Sequence, residues 1–294
     1  MHSLVIFCKT YIGDLNHFIK LSESLAKYNH QNIPVYASAP KSQVSEIINA
    51  VSDIQCDINW VTDEEIVEES PGAILDDYYK LDGRVSQQII KSEFWRLGYC
   101  ENYLCIDSDS LFVRSFGIGD FMATDCVPYT VIHQSKAFLD QCIQSKKLDI
   151  LKNIANDSEM IKKYFTRGGV DYDFGPTPVI WSRLVWEDLY KKMLKPQGKT
   201  LWDAIMQSPS ELRWYGEAYL EYRPFPLFPI EPLFKVYHYK WQYEIENRNH
   251  DYLRNLNKNY LGTVLQSNWH LKKKRSILER VLSKLRLWKK FMHM

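Results

Sequence analysis

Short apolar runs of two different periods alternate along the first hundred residues of this chain. Leu4-Val5-Ile6-Phe7-Cys8, Val35-Tyr36-Ala37 and Ile58-Asn59-Trp60-Val61 are rich in β-forming side chains and too short for helices. They predict three strands. Between the first two, Leu15, Phe18, Ile19, Ser22 and Leu25 recur at three- and four-residue steps. That is the spacing of a helix with one inward face, running to about Tyr28. A second helix is predicted over Ser42 to Val51, with Val44, Ile47 and Ile48 on its inner side. Thr62-Asp63-Glu64-Glu65 sets a hydroxyl and a carboxylate three residues apart, which marks a capped helix start. Strand and helix in alternation predict an α/β fold, with a mostly parallel central sheet and helices on both faces.

A further helix is predicted over Ser86 to Leu97, with Ile89, Ile90, Phe94 and Leu97 buried. It leads through Cys100-Glu101-Asn102, read as a turn, into Tyr103-Leu104-Cys105-Ile106-Asp107-Ser108-Asp109, with Leu111-Phe112-Val113 beyond. An apolar strand here ends abruptly in two carboxylates one residue apart. Open α/β sheets bind their ligands at the carboxyl ends of strands. Two carboxylates buried there need a partner, because unpaired charge is costly in a low-dielectric site. A hard divalent cation, Mg²⁺ or Mn²⁺, meets that need and carries substrate phosphates. Gln87, Gln88 and Lys91 fall near the N-terminal end of the predicted helix before it. Free N–H groups at such an end suit phosphate, and Lys91 would add a full charge. The plainer alternatives are a solvated turn for Asp107 and Asp109 and a surface role for Lys91.

Two chemistries use an apolar strand ending in Asp-x-Asp: nucleotide-sugar transfer around a metal, and phosphoryl transfer with the first Asp as nucleophile. Phosphatases of the second kind carry the motif on their first strand. Here three strand–helix units precede it, and the later Gly168-Gly169-Val170-Asp171-Tyr172-Asp173 lacks an apolar lead. The order of parts therefore favours sugar transfer. A phosphatase or phosphotransferase is one alternative, and a non-catalytic, membrane-associated carbohydrate-binding scaffold is the other.

Composition changes this picture little. The 294 residues are 45% hydrophobic and 25% charged, ordinary for a globular chain, and 14% aromatic. Six cysteines form no Cys-x-x-Cys pair, and several lie in apolar runs. Buried reduced thiols in a cytoplasmic protein are expected, rather than disulfides or a zinc site. The N-terminus lacks a basic leader and a signal-like apolar segment, and no run approaches the length of a membrane span.

Charge is more informative. The net +1 divides into +8 over residues 271–294, where nine Lys and Arg face one acid, Glu279, and −7 over the rest. Ile277, Leu278, Val281, Leu282, Leu285, Trp288 and Phe291 recur at helical steps among those basic residues. Residues 272–294 thus predict a basic amphipathic helix suited to an anionic membrane surface. The Leu/Trp/Phe face argues against nucleic acid as a partner. Packing against protein is the alternative.

Four segments together resemble a known family. Ser86–Trp95, Tyr103–Phe116, Phe174-Gly175-Pro176-Thr177-Pro178-Val179-Ile180-Trp181-Ser182, and Ser210-Glu211 with Tyr215-Gly216 are similar to an uncharacterised family of bacterial surface-polysaccharide glycosyltransferases with the GT-A fold. The likeness spans roughly residues 4–245 and lies in the order and spacing of short motifs. It implies a GT-A-like, Rossmann-like domain over 1–270, with a nucleotide-binding half (1–116) and an acceptor-binding half (117–270). It also implies a nucleotide-sugar donor, a saccharide or lipid-linked acceptor, and work at the cytoplasmic face of the inner membrane. Thr10 and Tyr11 would hold base and ribose. Gln87, Gln88 and Lys91 would approach ribose or phosphates, and Gly175-Pro176-Thr177 would border the sugar. Asp107 and Asp109 would bind Mn²⁺ or Mg²⁺. Phe234–Trp241 resembles the segment that supplies a histidine ligand, here His238, and Lys240 would contact phosphate.

The resemblance further implies an acceptor base at a helix start. Glu211 is that candidate, at the head of a helix running through Tyr222, and Glu217 is second. An inverting reaction needs such a base, whereas a retaining one does not. The competing reading of Ser208-Pro209-Ser210-Glu211 is a capping box, with Glu211 only closing the helix end.

Overall fold

In the computed structural model, which describes residues 1–246 and 255–266, strands run in chain order as β1 (His2–Lys9), β2 (Val35–Ala39), β3 (Ile58–Thr62), β4 (Cys100–Asp107), β5 (Ser110–Phe112), β6 (Thr130–Val131), β7 (Val179–Ser182), β8 (Pro229–Ile230), β9 (Phe234–Tyr237) and β10 (Gly262–Leu265). Five of them make the central sheet, in the order β3-β2-β1-β4-β7. The first four are parallel, and β7 runs antiparallel to β4. Helices Leu15–Tyr28, Lys41–Val51 and Gly83–Glu93 connect or flank them, giving a mixed, mostly parallel, Rossmann-like sheet. Two smaller sheets, β5-β10-β9 and β6-β8, extend the fold beside β4.

The unbroken apolar run of β1 follows from cover on both faces. Val5 and Phe7 enter one core, with Phe94, Tyr103 and Trp181, while Leu4, Ile6 and Cys8 enter the other, with Phe18, Leu21 and Ile47. Phe7 stacks on Phe94 with ring centroids 3.8 Å apart, and Tyr103 meets Phe94 edge-on at 5.3 Å. Such pairs add about 0.5–1.5 kcal/mol beyond area burial. They fasten the helix Gly83–Glu93 and the turn after it under the strand that carries Asp107.

Several sequence expectations change. Cys100-Glu101-Asn102 is not a turn but the first part of β4, since His2 and Leu4 of β1 pair with Cys100 and Asn102. The side chain of Asn102 fixes that edge, donating to the Ser3 carbonyl at 2.9 Å. The helix predicted from Ser86 begins at Gly83, where the Asp82 carboxylate accepts from the Arg84 N–H at 2.9 Å. It gives way to a 3-10 turn over Phe94–Leu97 that closes on Gly98 at φ 69°. Lys91 thus lies in the last turn of this helix rather than near its N-terminus. Ile48 is exposed, because Ile47 and Val51 already supply the buried side of its helix. The Thr62–Glu65 capping box forms as expected.

All six cysteines are free; Cys8, Cys100, Cys105 and Cys142 are buried and Cys126 is exposed. Among the described residues no helix is long and apolar enough to cross a membrane. The predicted amphipathic helix over 272–294 lies outside the described residues.

Candidate active site

Parallel strands that share a direction bring their carboxyl ends to one edge of the sheet. Lys9 closes β1 and Thr10 follows it, Pro40 follows β2, Asp63 follows β3, and Asp107 closes β4. The chain order reverses between β1 and β4, and a crevice opens outside that switch point. A cavity of about 750 Å³ occupies it. With strands about 4.8 Å apart, it extends for roughly 14 Å from the end of β3 to the end of β4.

The antiparallel register of β7 completes the Asp107 end. Cys105 pairs with Val179, so the residues two steps further out, Asp107 and Thr177, face each other. The Thr177 hydroxyl donates to Oδ2 of Asp107, and the Lys91 ammonium donates to Oδ1. Lys91 is itself fixed from below, where the Tyr103 hydroxyl donates to its carbonyl at 2.8 Å. Burial alone would push Asp107 up. The Lys91 ammonium and the hydrogen bonds from Lys91 and Thr177 outweigh it and hold the carboxyl below its ordinary range. Burial would likewise discharge Lys91, but Asp107, Cys105 and Glu211 reverse the effect and raise it. The pair is therefore an ion pair at neutral pH.

Glu211 opens the helix Glu211–Tyr222 and lines the same cavity. Ser210 precedes it without a side-chain cap hydrogen bond, so the capping box does not form. Burial pushes the Glu211 carboxyl up, with Lys91 acting against the shift and Asp107 reinforcing it. Nearby glycines make the close packing possible. A Cβ on Gly216 would fall 2.0 Å from the Phe174 ring, and one on Gly175 would fall 2.6 Å from Leu212.

Thr10, Tyr11, Gln87, Gln88, Asp109 and His238 also line this cavity. Thr10 Oγ1 and Gln88 Oε1 are buried with no hydrogen-bond partner among the described residues. Tyr11 is exposed, with the edge of its ring against Gly13. Burial holds His238 below its ordinary range, against the pull of Asp173. A neutral imidazole and two carboxylates form a donor set whose chemistry suits a hard divalent cation. As they stand, no three or more His, Cys, Asp or Glu among the described residues are grouped closely enough to hold an ion. Both oxygens of Asp107 are engaged by Lys91 and Thr177.

Two expected residues lie elsewhere. Glu217 is 2% exposed and held by Arg167 through both oxygens, at 2.5 and 2.7 Å, and it does not line the cavity. Lys240 is exposed and pairs with Glu244 at 3.3 Å, one helical turn away. Both hydrogen-bond or pair locally because their helices turn them from the crevice.

Sequence reading missed the end of β3. Asp63 had registered only as part of a helix cap. In the structure it is fully buried, paired with Lys9 at 2.9 Å, and accepts from the Tyr78 hydroxyl at 3.0 Å. The signal was available: Asp63 follows a parallel strand on the ligand-bearing edge.

A second cavity, about 890 Å³, lies on the far side of His238 and Pro176. Its walls come from Ser135–Gln141, the helix Leu148–Lys162 and the β9 region. His133 ties it to the first: its Nε2–H donates to the Gly175 carbonyl at 2.6 Å, and its Nδ1 accepts from the Ser135 N–H at 3.3 Å. Phe138 and Tyr239 present near-parallel rings 6.4 Å apart on its wall.

Residues 3–252 match a family described as a family of unknown function (DUF6492). No curated protein matches the chain. Among solved structures, mouse xyloside xylosyltransferase 1 in its apo form is similar at 8% identity over 90% of this chain and 98% of that one, with a TM-score of 0.49. At that score the likeness carries no functional weight.

Proposed function

Because the chain belongs to this family of unknown function, we propose its activity from the cleft itself: transfer of a sugar from a nucleotide-sugar donor to a saccharide acceptor, by an enzyme of GT-A type. One observation carries the reading. Asp107 and Asp109, at the end of the strand beside the switch point, share a cavity with Lys91, His238 and Glu211. Cation, carboxylates, imidazole and a carboxyl with raised proton affinity meet where an open α/β sheet takes its ligand.

Residues 1–116 supply the donor side and residues 117–270 the acceptor side. Asp107, Asp109 and His238 would hold Mn²⁺ or Mg²⁺, which when bound supplies positive charge to a diphosphate. Lys91 keeps Asp107 ionised and adds charge that stabilises the departing diphosphate. Thr177 orients Asp107 and, with Pro176, borders the donor sugar. Gln87, Gln88, Thr10 and Tyr11 hold the nucleoside. Glu211 takes the proton of the acceptor hydroxyl, as an inverting reaction requires. The second cavity, reached past His238, receives the saccharide acceptor against the Phe138 and Tyr239 rings. Residues 272–294 dock on an anionic membrane, where a lipid-linked acceptor would be presented.

The test is thermal stability against nucleoside diphosphates, with and without Mn²⁺, on wild type and Asp109→Ala. A ligand at 100 times its dissociation constant adds about 2.7 kcal/mol. The expected result is a melting shift that needs both Mn²⁺ and Asp109. A folded wild-type protein that no nucleotide stabilises would overturn the reading.

A further inference from the structure

Arg84, Gln88 and Lys91 stand four and three residues apart on the helix Gly83–Glu93, which sets them in one line along the wall of the first cavity. Among the described residues that wall this cavity, the lysines are Lys9 and Lys91, and both are paired: Lys91 with Asp107, and Lys9 with Asp63 at 2.9 Å. Each lysine thus arrives with its own counter-charge. Arg84 does not. It is exposed, its backbone N–H is taken by the Asp82 carboxylate at 2.9 Å, and its guanidinium has no ion pair or hydrogen bond among the described residues.

Gln88 marks the space beside it. This side chain is 7% exposed, and its oxygen is buried with no hydrogen-bond partner among the described residues. Turning the amide over presents its N–H₂ instead, so the group can also donate. The line climbs about 10 Å from Lys91 to Arg84, with Gln88 between and the positive end of the helix at the Arg84 end. An anion seated over Gln88 therefore meets a cation on either side. Glu211 lies near the same stretch: burial raises its carboxyl, and Lys91 and Arg84 are both close enough to oppose that shift.

Resting on the donor-site reading above, we propose that Arg84 grips the terminal phosphoryl group of the donor's diphosphate. The planar fork of a guanidinium matches two phosphate oxygens at once. Gln88, placed above with the nucleoside, faces the diphosphate as well and gives the phosphoryl a neutral donor. The terminal phosphoryl is the one bonded to the sugar, so it is also the one nearest Glu211. In the transfer step the acceptor oxygen bonds to the anomeric carbon as its proton passes to Glu211. The electron pair of the breaking C–O bond stays on the phosphoryl oxygen, which gains negative charge. Arg84 meets that charge with one that no carboxylate has claimed.

The experiment is titration calorimetry on the full chain in Mn²⁺. Uridine, thymidine, guanosine, cytidine and adenosine diphosphates identify the one that wild type binds most tightly. That diphosphate and its monophosphate are then titrated into wild type, Arg84→Gln and Arg84→Lys. Arg84 is exposed, so both variants should melt with wild type. Wild type should prefer the diphosphate, and Arg84→Gln should lose about tenfold or more of that preference with its monophosphate affinity unchanged. Arg84→Lys should recover part of the loss, since it keeps the charge without the fork. Three results would overturn the assignment and leave the transferase reading standing: equal binding of diphosphate and monophosphate by wild type, an Arg84→Gln protein that keeps the full preference, or one that loses both affinities equally. Failure of every nucleotide to bind would overturn both.

Discussion

Lys91 and Asp107, sixteen residues apart on a helix and a strand, meet as a buried ion pair whose carboxylate is completed by Thr177. The Lys91 side chain is 5% exposed and that of Asp107 24%. Removing one partner strands the other charge in a largely buried site. Lys91→Met should therefore destabilise the fold by about 3 kcal/mol, read as a lowered denaturation midpoint. The pH dependence follows from the direction of the Asp107 shift. Its folded value lies below its unfolded one, so its contribution is complete above the ordinary carboxylate range and fades as pH falls through the folded value. Asp107→Asn should remove that acid-side slope; an unchanged slope would mean that the pair contributes nothing.

Glu211 should set the acid limb of the transfer rate. Because burial raises its pKa, activity should climb with pH over a range above that of an ordinary glutamate. Glu211→Gln should abolish the limb and lower kcat by about 10²- to 10⁴-fold, with the donor KM little changed. A variant with wild-type kcat would remove Glu211 from the chemistry.

Glu217 should behave in the opposite way. Held in a bidentate pair with Arg167 and off the cavity wall, it fastens the Gly168–Val170 turn to the helix Glu211–Tyr222. Arg167→Ala should cost stability on the order of 3 kcal/mol, while the folded fraction keeps its kcat. A loss of kcat without loss of stability would reverse these roles.

His238 is held neutral by burial, and a neutral imidazole is the form that ligates. His238→Ala should weaken Mn²⁺-dependent nucleotide binding by about tenfold or more and leave metal-free stability close to wild type. Titration calorimetry with and without Mn²⁺ separates these effects.

The hydrophobic pattern made the sheet legible. Strands β1 to β4 lie where continuous β-forming runs lie, because a sheet covered on both faces writes itself as apolar sequence. Asp107, Asp109 and Thr10 were legible as cavity residues for a related reason: each ends or follows one of those runs, while Lys91 was legible from the amphipathic helix before β4. Residues whose role depends on register over long separations were not. The contact of Thr177 with Asp107 depends on β7 pairing with β4 across seventy residues. The burial of Asp63 depends on Lys9 and Tyr78 arriving from two other elements. The helix start ranked Glu211 ahead of Glu217, but the local pattern did not show where either side chain goes. Both sit on one helix, and only tertiary packing turns one into the crevice and the other toward Arg167.

Among the described residues, only Pro176 and His238 wall both cavities. The first cavity is walled in part by the ends of β1, β3 and β4, so substitution there disturbs the central sheet. The second is walled largely by the helices Lys136–Gln144 and Leu148–Lys162 and the segment around β9. Its lining can change without touching the central sheet, so under the transfer proposed above a change of acceptor need not be a change of donor.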